Sequence, residues 1–422
     1  MKRRRFLALT ALLPLLFPCT ALAARRKAAK ETQPARKATK KPPKRPAART
    51  SRAAAPSAEG ERTARVARPA EEVVEPWRTY ELSTTLRLHK MRGPIRLWMP
   101  LDHATDSAWQ RSRGRRWDGN FSRAEIVRDP VADMAVLVAE WNSPRDCELR
   151  MVSQVMTRDR HFDISRYGAA PTERNEVLRR YLQPLPGGVE DSLRNIATEA
   201  LGRIRDPLAR GKALYDWVID NARYETQPPG GCGSGNLAAM LEKGRYSGIY
   251  AGKSADIALL FVGLCRSIGM PARPVFGVRV DSSRLFSSLG RSGELAQAQH
   301  CRAEFYAPGW GWVPVDPADV LTAIAEGSVG TFDPRLNVLR KLLFGFWEMN
   351  WIGLNSANEF NLRNSAGHPV AAPAAPLPFL AYPYVESADG RFSILDRDRV
   401  SYSLSARRID IGDILAPVPT LF

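Results

Sequence analysis

The segment from Ser254 to Ile268 combines a polar start with a surface that is apolar on nearly every side. Gly269 and Pro271 mark the end of the helix that this segment predicts, and Asp256 falls in its first turn, where the helix dipole favours an anion. A helix that is apolar all round lies at the centre of a domain, so only its N-terminal end, with Ser254 as the predicted N-cap, is expected to meet solvent. Seven large apolar residues cover its circumference: Ile257, Leu259, Leu260, Phe261, Val262, Leu264 and Ile268.

The N-terminal end of such a helix has a chemical use. A side chain there, beside unpaired backbone N–H groups, occupies the place where an acyl-transfer enzyme holds its nucleophile and its oxyanion donors. Helix capping explains Ser254 equally well when it is taken alone. The choice depends on which other side chains the fold brings to that end.

Residues 300–316 predict a β-hairpin with strands His300–Tyr306 and Trp312–Asp316. A hairpin centred on residue 308 places His300 directly opposite Asp316, about 5 Å away at Cβ. The carboxylate would then orient the imidazole and stabilise its charged form. A solvated ion pair is the alternative interpretation. One face of the hairpin is expected to be apolar, with Cys301, Ala303, Phe305, Val313 and Val315, and the other to carry His300, Arg302, Glu304 and Asp316.

Three motifs in this order resemble the transglutaminase-like superfamily. They are Gly252-Lys253-Ser254-Ala255-Asp256-Ile257, then Gly269-Met270-Pro271-Ala272-Arg273 with Gly277, then His300-Cys301-Arg302-Ala303-Glu304 followed by Gly311-Trp312-Val313-Pro314-Val315-Asp316-Pro317. The endings "FGFWEMNWIGLN" and "LPFLAYP" are similar to those of exported bacterial members. The resemblance implies an α+β, papain-like core with a nucleophile on the central helix and His and Asp on the following strands. The catalytic residues implied here are Ser254, His300 and Asp316.

Ser254 departs from the family pattern, which has cysteine in a "G-K-C-A-D" setting. A helix N-terminus and a neighbouring imidazolium can convert a thiol to thiolate, whereas an alcohol is a far weaker nucleophile and needs concerted removal of its proton. Three interpretations stay open: a natural loss of activity, a slow serine hydrolase, or an inactivating substitution in this chain.

The cysteines offer little in place of Ser254. Cys19 lies in the predicted signal peptide, Cys265 is expected in the core, and Cys301 is expected on the apolar face of the hairpin. Cys232, in the turn-rich "GGCGSG", is a weak alternative nucleophile or a disulfide partner. Export would permit a disulfide, but spacing does not reveal pairing, so none is assigned to these residues or to Cys147.

The N-terminus has the features of an export signal. Residues 1–23 combine a basic start, an apolar run from Phe6 to Phe17 and a small-x-small site at Ala21–Ala23, and Arg3-Arg4-Arg5 also fits the twin-arginine pattern. Export by the Sec or the twin-arginine route is left open, and the protein is expected to be periplasmic or secreted. The apolar run is too short for a stable membrane span.

Residues 24–70 are rich in Ala, Pro, Lys and Arg and are predicted to be a disordered basic linker. The first 70 residues carry +16 of the formal charge of +18. The remainder of the chain is therefore nearly neutral, which argues against a nucleic-acid partner. The linker is interpreted as a solvated spacer or as a segment that lies along an anionic cell-envelope polymer.

Three further regions are predicted. Residues 76–167 are expected to form a small β-sandwich-like domain, because Tyr80, Leu82, Thr84, Leu86 and Leu88 alternate with more polar residues. Residues 190–325 are expected to form the catalytic-type core, and residues 326–422 to pack on it. The Trp-rich stretch 344–351 has near-helical spacing and is expected in the core or between domains, with a substrate groove as the alternative.

These features give two hypotheses of function. The first is an exported acyltransferase or amidohydrolase that acts on a carboxamide or peptide carbonyl of a protein or peptide. The second is a catalytically inactive binding module at the cell envelope. The sequence contains no metal-binding or phosphate-binding motif, so neither a cofactor nor a metal is expected.

Overall fold

The computed structural model describes residues 76–410, except residues 130, 131, 144, 169, 171, 328, 329, 331 and 369–376. The predicted signal peptide (1–23) and basic linker (24–70) lie outside the described residues. No helix in the described part of the chain is both long and apolar enough to cross a membrane.

The first part of the described chain is almost entirely β-structure. Its strands are β1 (Arg78–Leu88), β2 (Ile95–Pro100), β3 (Gln110–Gly119), β4 (Arg123–Asp129), β5 (Met134–Trp141), β6 (Cys147–Thr157) and β7 (Arg160–His161). In β1 the side chains of Tyr80, Leu82, Thr84, Leu86 and Leu88 are all buried, as the alternation predicts.

Helices dominate the next part. The elements are α1 (Asn175–Arg180), α2 (Glu190–Leu201), α3 (Pro207–Asn221), β8 (Ala222–Tyr224), α4 (Leu237–Ser247), β9 (Tyr250–Gly252), α5 (Ser254–Ser267), β10 (Ala272–Arg279), β11 (Gln299–Ala307), β12 (Gly311–Val315) and α6 (Pro317–Ala325). Every residue of α5 is buried, which confirms its central position.

The C-terminal part contributes α7 (Pro334–Leu342), β13 (Phe346–Trp347), β14 (Trp351–Asn355), β15 (Asn358–Phe360), β16 (Leu377–Phe379), β17 (Tyr384–Ser387), β18 (Gly390–Ser393) and β19 (Val400–Ile409). The near-helical interpretation of residues 344–351 is wrong, because this stretch forms β13, a turn and the start of β14. Trp347 and Trp351 are buried, where they pack against Trp109 of the sandwich and against each other.

Two sheets form the sandwich-like domain, with strand orders β19-β1-β6-β3 and β18-β17-β2-β5-β4. The C-terminal strands therefore complete both sheets rather than only covering the core. Strand β19 pairs with β1 from Thr79↔Ile409 to Leu88↔Val400. The described residues all fall in one compact unit.

The core sheet has the order β12-β11-β10-β14, and all its neighbouring strands are antiparallel. Helix α5 packs on this sheet, and the apolar side chains of β11 join the same hydrophobic cluster as α5. The predicted α+β class, with a sandwich-like β domain before the core, is confirmed.

Candidate active site

The hairpin of β11 and β12 has a different register from the predicted one. Ala303 pairs with Val315 and Ala307 with Gly311, so the turn is centred on residue 309. His300 is therefore not directly opposite Asp316. The two-residue slip leaves the faces unchanged, because side chains alternate with a period of two.

Asp316 lies just beyond β12 and is the N-cap of α6, where its Oδ1 accepts the Asp319 backbone N–H at 2.9 Å. Its other oxygen, Oδ2, lies 2.8 Å from His300 Nε2. The relative exposure of His300 is 3% and that of Asp316 is 0%. The structure thus brings His300 and Asp316 together in a buried pair, which differs from the solvated ion pair that was the alternative.

Three residues that the sequence did not assign to the site surround this pair. Arg279 Nη2 lies 3.1 Å from His300 Nδ1 and also contacts Asp319 Oδ1. Asp319 Oδ1 is 3.3 Å from His300 Nε2, and Arg302 Nε is 3.2 Å from Asp316 Oδ2. Asp319 has a sequence signal, since it follows Asp316 by three residues in the first turn of a helix that begins with Pro317.

These contacts assign the protons of the imidazole. A guanidinium group has only donors, so Arg279 makes Nδ1 of His300 an acceptor. In the neutral imidazole, the one N–H is then on Nε2 and donates to Asp316 Oδ2. The basic nitrogen of His300 is consequently occupied by Arg279.

The two carboxyl groups differ in their pKa. Burial and the neighbouring Asp319 raise the pKa of Asp316 above its ordinary value, against the opposing effect of His300. Burial raises the pKa of Asp319, but Arg279, His300 and Arg302 together hold it well below its ordinary value. These neighbours thus keep Asp319 ionised although its side chain is buried.

His300, Asp316 and Asp319 are the described residues that could hold a metal ion, because their ligand atoms lie within 4.8 Å of one another. Arg279 and Arg302 contact the same carboxylates, and two guanidinium groups balance two carboxylates. A divalent cation would face both of these positive charges, so the donor set fits a metal ion poorly.

Ser254 lies differently from its predicted place. It is the first residue of α5 and Lys253 is the N-cap; Asp256 Oδ2 accepts the Lys253 backbone N–H at 3.0 Å. Ser254 is only 1% exposed, so the prediction that this helix end meets solvent is wrong. Among the described residues, the hydrogen-bond partner of Ser254 Oγ is the backbone N–H of Cys301, at 3.2 Å. The hydroxyl thus contacts the residue next to His300 but makes no hydrogen bond to its ring.

The glycine-rich loop of residues 228–235 explains this burial. Asp256 Oδ1 accepts the backbone N–H groups of Ser234 at 3.1 Å and Gly235 at 2.8 Å. The Lys253 ammonium donates to the carbonyl oxygens of Pro228 and Gly230. Lys253 and Asp256, which lie on either side of Ser254 in the motif, therefore hold the loop over Ser254 by hydrogen bonds.

The same loop uses one of the backbone donors that the sequence assigns to an oxyanion. Ala255 N–H donates to the carbonyl of Cys232 at 2.7 Å. The Cys301 N–H is bound to Ser254 Oγ, and the Lys253 N–H to Asp256. The Ser254 N–H is thus the main-chain group left for an oxyanion among those of residues 253–255.

The cysteines are poor replacements for the serine. Cys232, Cys265 and Cys301 are all buried, and burial raises the pKa of each thiol. A thiol held in its neutral form is a weak nucleophile. These three cysteines and Cys147 are free thiols in the structure.

A tryptophan on β14 fixes the strand that carries His300. Trp351 Nε1 donates to the His300 carbonyl oxygen at 3.1 Å. Gly277, which pairs with His300 across β10 and β11, permits this approach, since a Cβ there would lie 2.3 Å from the Trp351 ring. The C-terminal segment thereby supports the site.

Comparisons with known proteins identify a family domain within this chain. Residues 194–317 match the model of the transglutaminase-like superfamily. This match spans α5, β11 and the start of α6, and so includes Ser254, His300 and Asp316. Residues 194–317 are therefore a transglutaminase-like core domain.

A curated relative and several solved structures are also similar. An uncharacterized protein of Haemophilus influenzae is 28% identical over 350 residues, which cover 78% of this chain and 91% of the relative. A cysteine protease candidate from Cytophaga hutchinsonii is 14% identical, with a TM-score of 0.49, over 79% of this chain and 92% of its own. The periplasmic domain of TgpA from Pseudomonas aeruginosa is 18% identical, with a TM-score of 0.31, over 61% of this chain and 92% of its own.

Proposed function

We propose that the site is an acyl-transfer centre for a carboxamide or peptide carbonyl that has been silenced at residue 254, and that the present chain binds such a ligand without turning it over. Residue 254 occupies the position of the nucleophile, His300 that of the base, and Asp316 orients His300. The observation that carries the proposal is the contact of Arg279 with Nδ1 of His300. In addition, Ser254 Oγ accepts the Cys301 backbone N–H and, within the described part of the chain, makes no hydrogen bond to the His300 ring.

The reaction of such a centre follows from a cysteine at position 254. Once Arg279 has left Nδ1, His300 takes the thiol proton at that nitrogen. The thiolate then attacks the carbonyl carbon to form a tetrahedral oxyanion near the Ser254 N–H position. The C–N bond breaks as the imidazolium returns its proton to the leaving ammonia or amine, which leaves a thioester. Water or another amine then attacks the thioester and releases the acyl group.

Serine breaks this sequence at its first step. A thiol is acidic enough for an imidazole to ionise it in advance, but a hydroxyl loses its proton only during attack and needs a base in direct contact. Nδ1 of His300 accepts from Arg279 instead. Without that contact the hydroxyl remains an ordinary alcohol.

A slow serine hydrolase is the second function. It is favoured by the Cys301 N–H, which holds Ser254 Oγ beside residue 300, and by the His300–Asp316 hydrogen bond. Both functions require Arg279 to leave Nδ1 when a ligand enters, but the serine function also requires Nδ1 to contact the hydroxyl during attack.

Activity of the present chain and of Ser254→Cys separates these functions. Ammonia release and amine incorporation are followed on glutamine-containing peptides, with Ser254→Cys/His300→Ala as the matched control. We expect turnover in Ser254→Cys only, with its loss in the double variant. Turnover by the serine form that disappears in His300→Ala would establish the serine hydrolase, and inactivity of both forms would contradict an acyl-transfer centre.

We infer further that the chain is exported and acts at the cell envelope. The support is the sequence of residues 1–23 and the basic composition of residues 24–70. Mass spectrometry of the protein recovered from cells is expected to show an N-terminus at Ala24. Recovery of the intact N-terminus from the cytoplasm would contradict export.

A further inference from the structure

A cavity of about 160 Å³ adjoins His300. At about 30 Å³ for each water molecule it has room for about five waters, which is the size of one polar group and its immediate attachment rather than of a peptide. Its wall includes Lys253, Arg279, Arg291 and His300, with hydroxyl and amide side chains between them. The charges on this wall therefore decide what the cavity can bind.

Arg279 forms an ion pair with Asp319, whereas Lys253 has no such carboxylate partner among the described residues. Lys253 is 8% exposed, and the acceptors of its ammonium are two uncharged carbonyl oxygens. No carboxylate of the described residues forms an ion pair with it within 4.0 Å, and the oxygens of Asp256 are occupied by backbone N–H groups. Lys253 thus brings a buried positive charge that lacks a paired anion.

Arg291 adds a second cation. Its side chain is exposed and has no ion pair with a carboxylate among the described residues. Glu326, which is also exposed, is the carboxylate that lines the cavity in the described part of the chain. The cavity therefore has an excess of positive charge next to His300.

We propose that this cavity binds a carboxylate of the ligand, so that the ligand class is a peptide with a carboxylate group close to its reactive carboxamide. This proposal rests on the proposed function, because it assigns the ligand of the same site. A carboxylate there would accept charge-assisted hydrogen bonds from Lys253 and Arg291, which are about twice as strong as neutral ones.

A second cavity has room for the rest of such a ligand. It measures about 670 Å³ and shares Arg291 and Gln297 with the first. Apolar side chains from Ile394, Val400 and Tyr402 contribute to its wall. A peptide would thus place its carboxylate near His300 and extend past Arg291 along residues that follow β18 and begin β19.

Calorimetric titration of the full chain at low salt tests this proposal with two probes. The first is the tripeptide Ala-Ala-Gln with a free C-terminal carboxylate, and the second is the same peptide with a C-terminal amide. We expect the free acid to bind about tenfold more tightly, which corresponds to the loss of one charge-assisted contact.

Variants then test which side chains cause the preference for the free acid over the amide. Arg291→Gln changes an exposed side chain and is expected to reduce the ratio of the two affinities to about threefold or less, whereas Arg291→Lys keeps it. Arg397→Gln, which lines only the second cavity, is the matched control and is expected to leave the ratio unchanged. Lys253→Met removes the other proposed cation and is likewise expected to reduce the ratio of the two affinities.

Equal binding of the two probes, or no binding of either at millimolar concentration, would overturn the proposal. A preference that survives in both Arg291→Gln and Lys253→Met would also overturn it. If Ser254→Cys turns over neutral and acidic peptides alike, the carboxylate proposal fails while the acyl-transfer proposal stands. Preferential binding of the acid with an inactive Ser254→Cys supports the carboxylate site and contradicts the acyl-transfer proposal.

Discussion

The two faces of strand β11 are both buried, but by opposite kinds of partner. Cys301, Ala303 and Phe305 join the apolar cluster that contains α5. His300, Arg302 and Glu304 instead meet arginine, carboxylate and tryptophan side chains. The apolar face requires only a close fit, whereas each charge on the other face requires a specific partner. The apolar face therefore holds the domain together, and the charged face determines what His300 can do.

The apolar face is expected to give the largest effect on stability. Phe305 packs on Phe261 at a centroid distance of 6.1 Å and so close to α3 that a Cβ on Gly211 would lie 2.2 Å from its ring. Phe305→Ala should lower the free energy of unfolding by about 3–5 kcal/mol, since the rigid surroundings leave a cavity. Urea denaturation measures this, with the exposed Leu395→Ala as the control. Equal effects of the two variants would contradict this packing.

The charged face is expected to give a somewhat smaller effect that depends on pH. Glu304 contacts Arg160 and Arg273, and these arginines outweigh burial and lower the pKa of Glu304 to about 2. Glu304→Gln at neutral pH should cost about 3 kcal/mol, because the buried Glu304 and its two half-buried arginines lose their ion pairs. Glu125→Gln, in an exposed pair with Arg123, should cost less than about 1 kcal/mol.

The pH dependence has a definite sign. Because the pKa of Glu304 in the folded protein lies below its value of about 4.3 in an unfolded chain, the stabilisation is present above pH about 4.3 and is lost as the pH falls toward about 2. The difference in stability between the wild type and Glu304→Gln should therefore shrink over that range. The cost of Phe305→Ala should not change in the same way, and a constant cost for Glu304→Gln would contradict the ion pairs.

The smallest loss of stability is expected from the tryptophan that covers the charged face, Trp351. Trp351→Phe removes the N–H that binds the His300 carbonyl and should cost about 1–2 kcal/mol, since a buried acceptor is left unpaired. Trp310→Phe is the matched control, because its N–H donates to the exposed Ile164 carbonyl at 3.0 Å. Unfolding curves that rank the two variants in the reverse order would contradict this role of Trp351.

The sequence predicted the two faces but not the partners of the charged one. Alternation along β11 and the apolar circumference of α5 are local patterns, and they placed Cys301, Phe305 and His300 correctly. The hairpin register failed because the turn has three residues, 308–310, rather than a centre at residue 308. A shift of two residues leaves each side chain on its predicted face, but it changes the residue that lies directly opposite on the other strand.

The residues that were missed come from contacts between distant segments. Arg279 reaches His300 because β10 pairs with β11, and Trp351 arrives through β14, which pairs with β10. The C-terminal strands that complete the sandwich were missed for the same reason. Alternation with a period of two predicts a strand, but it does not predict which strand lies beside it. Asp319 is the exception, because its spacing from Asp316 is visible in the sequence.

Labelling with a fluorophosphonate probe tests most directly whether Ser254 lacks activation. Such a probe forms a stable adduct with a serine only when a base removes the hydroxyl proton during attack. We predict no adduct at Ser254 by mass spectrometry, while iodoacetamide modifies the introduced thiol of the Ser254→Cys variant and so shows that the position can be reached. A fluorophosphonate adduct at Ser254 that is absent in His300→Ala would contradict the account.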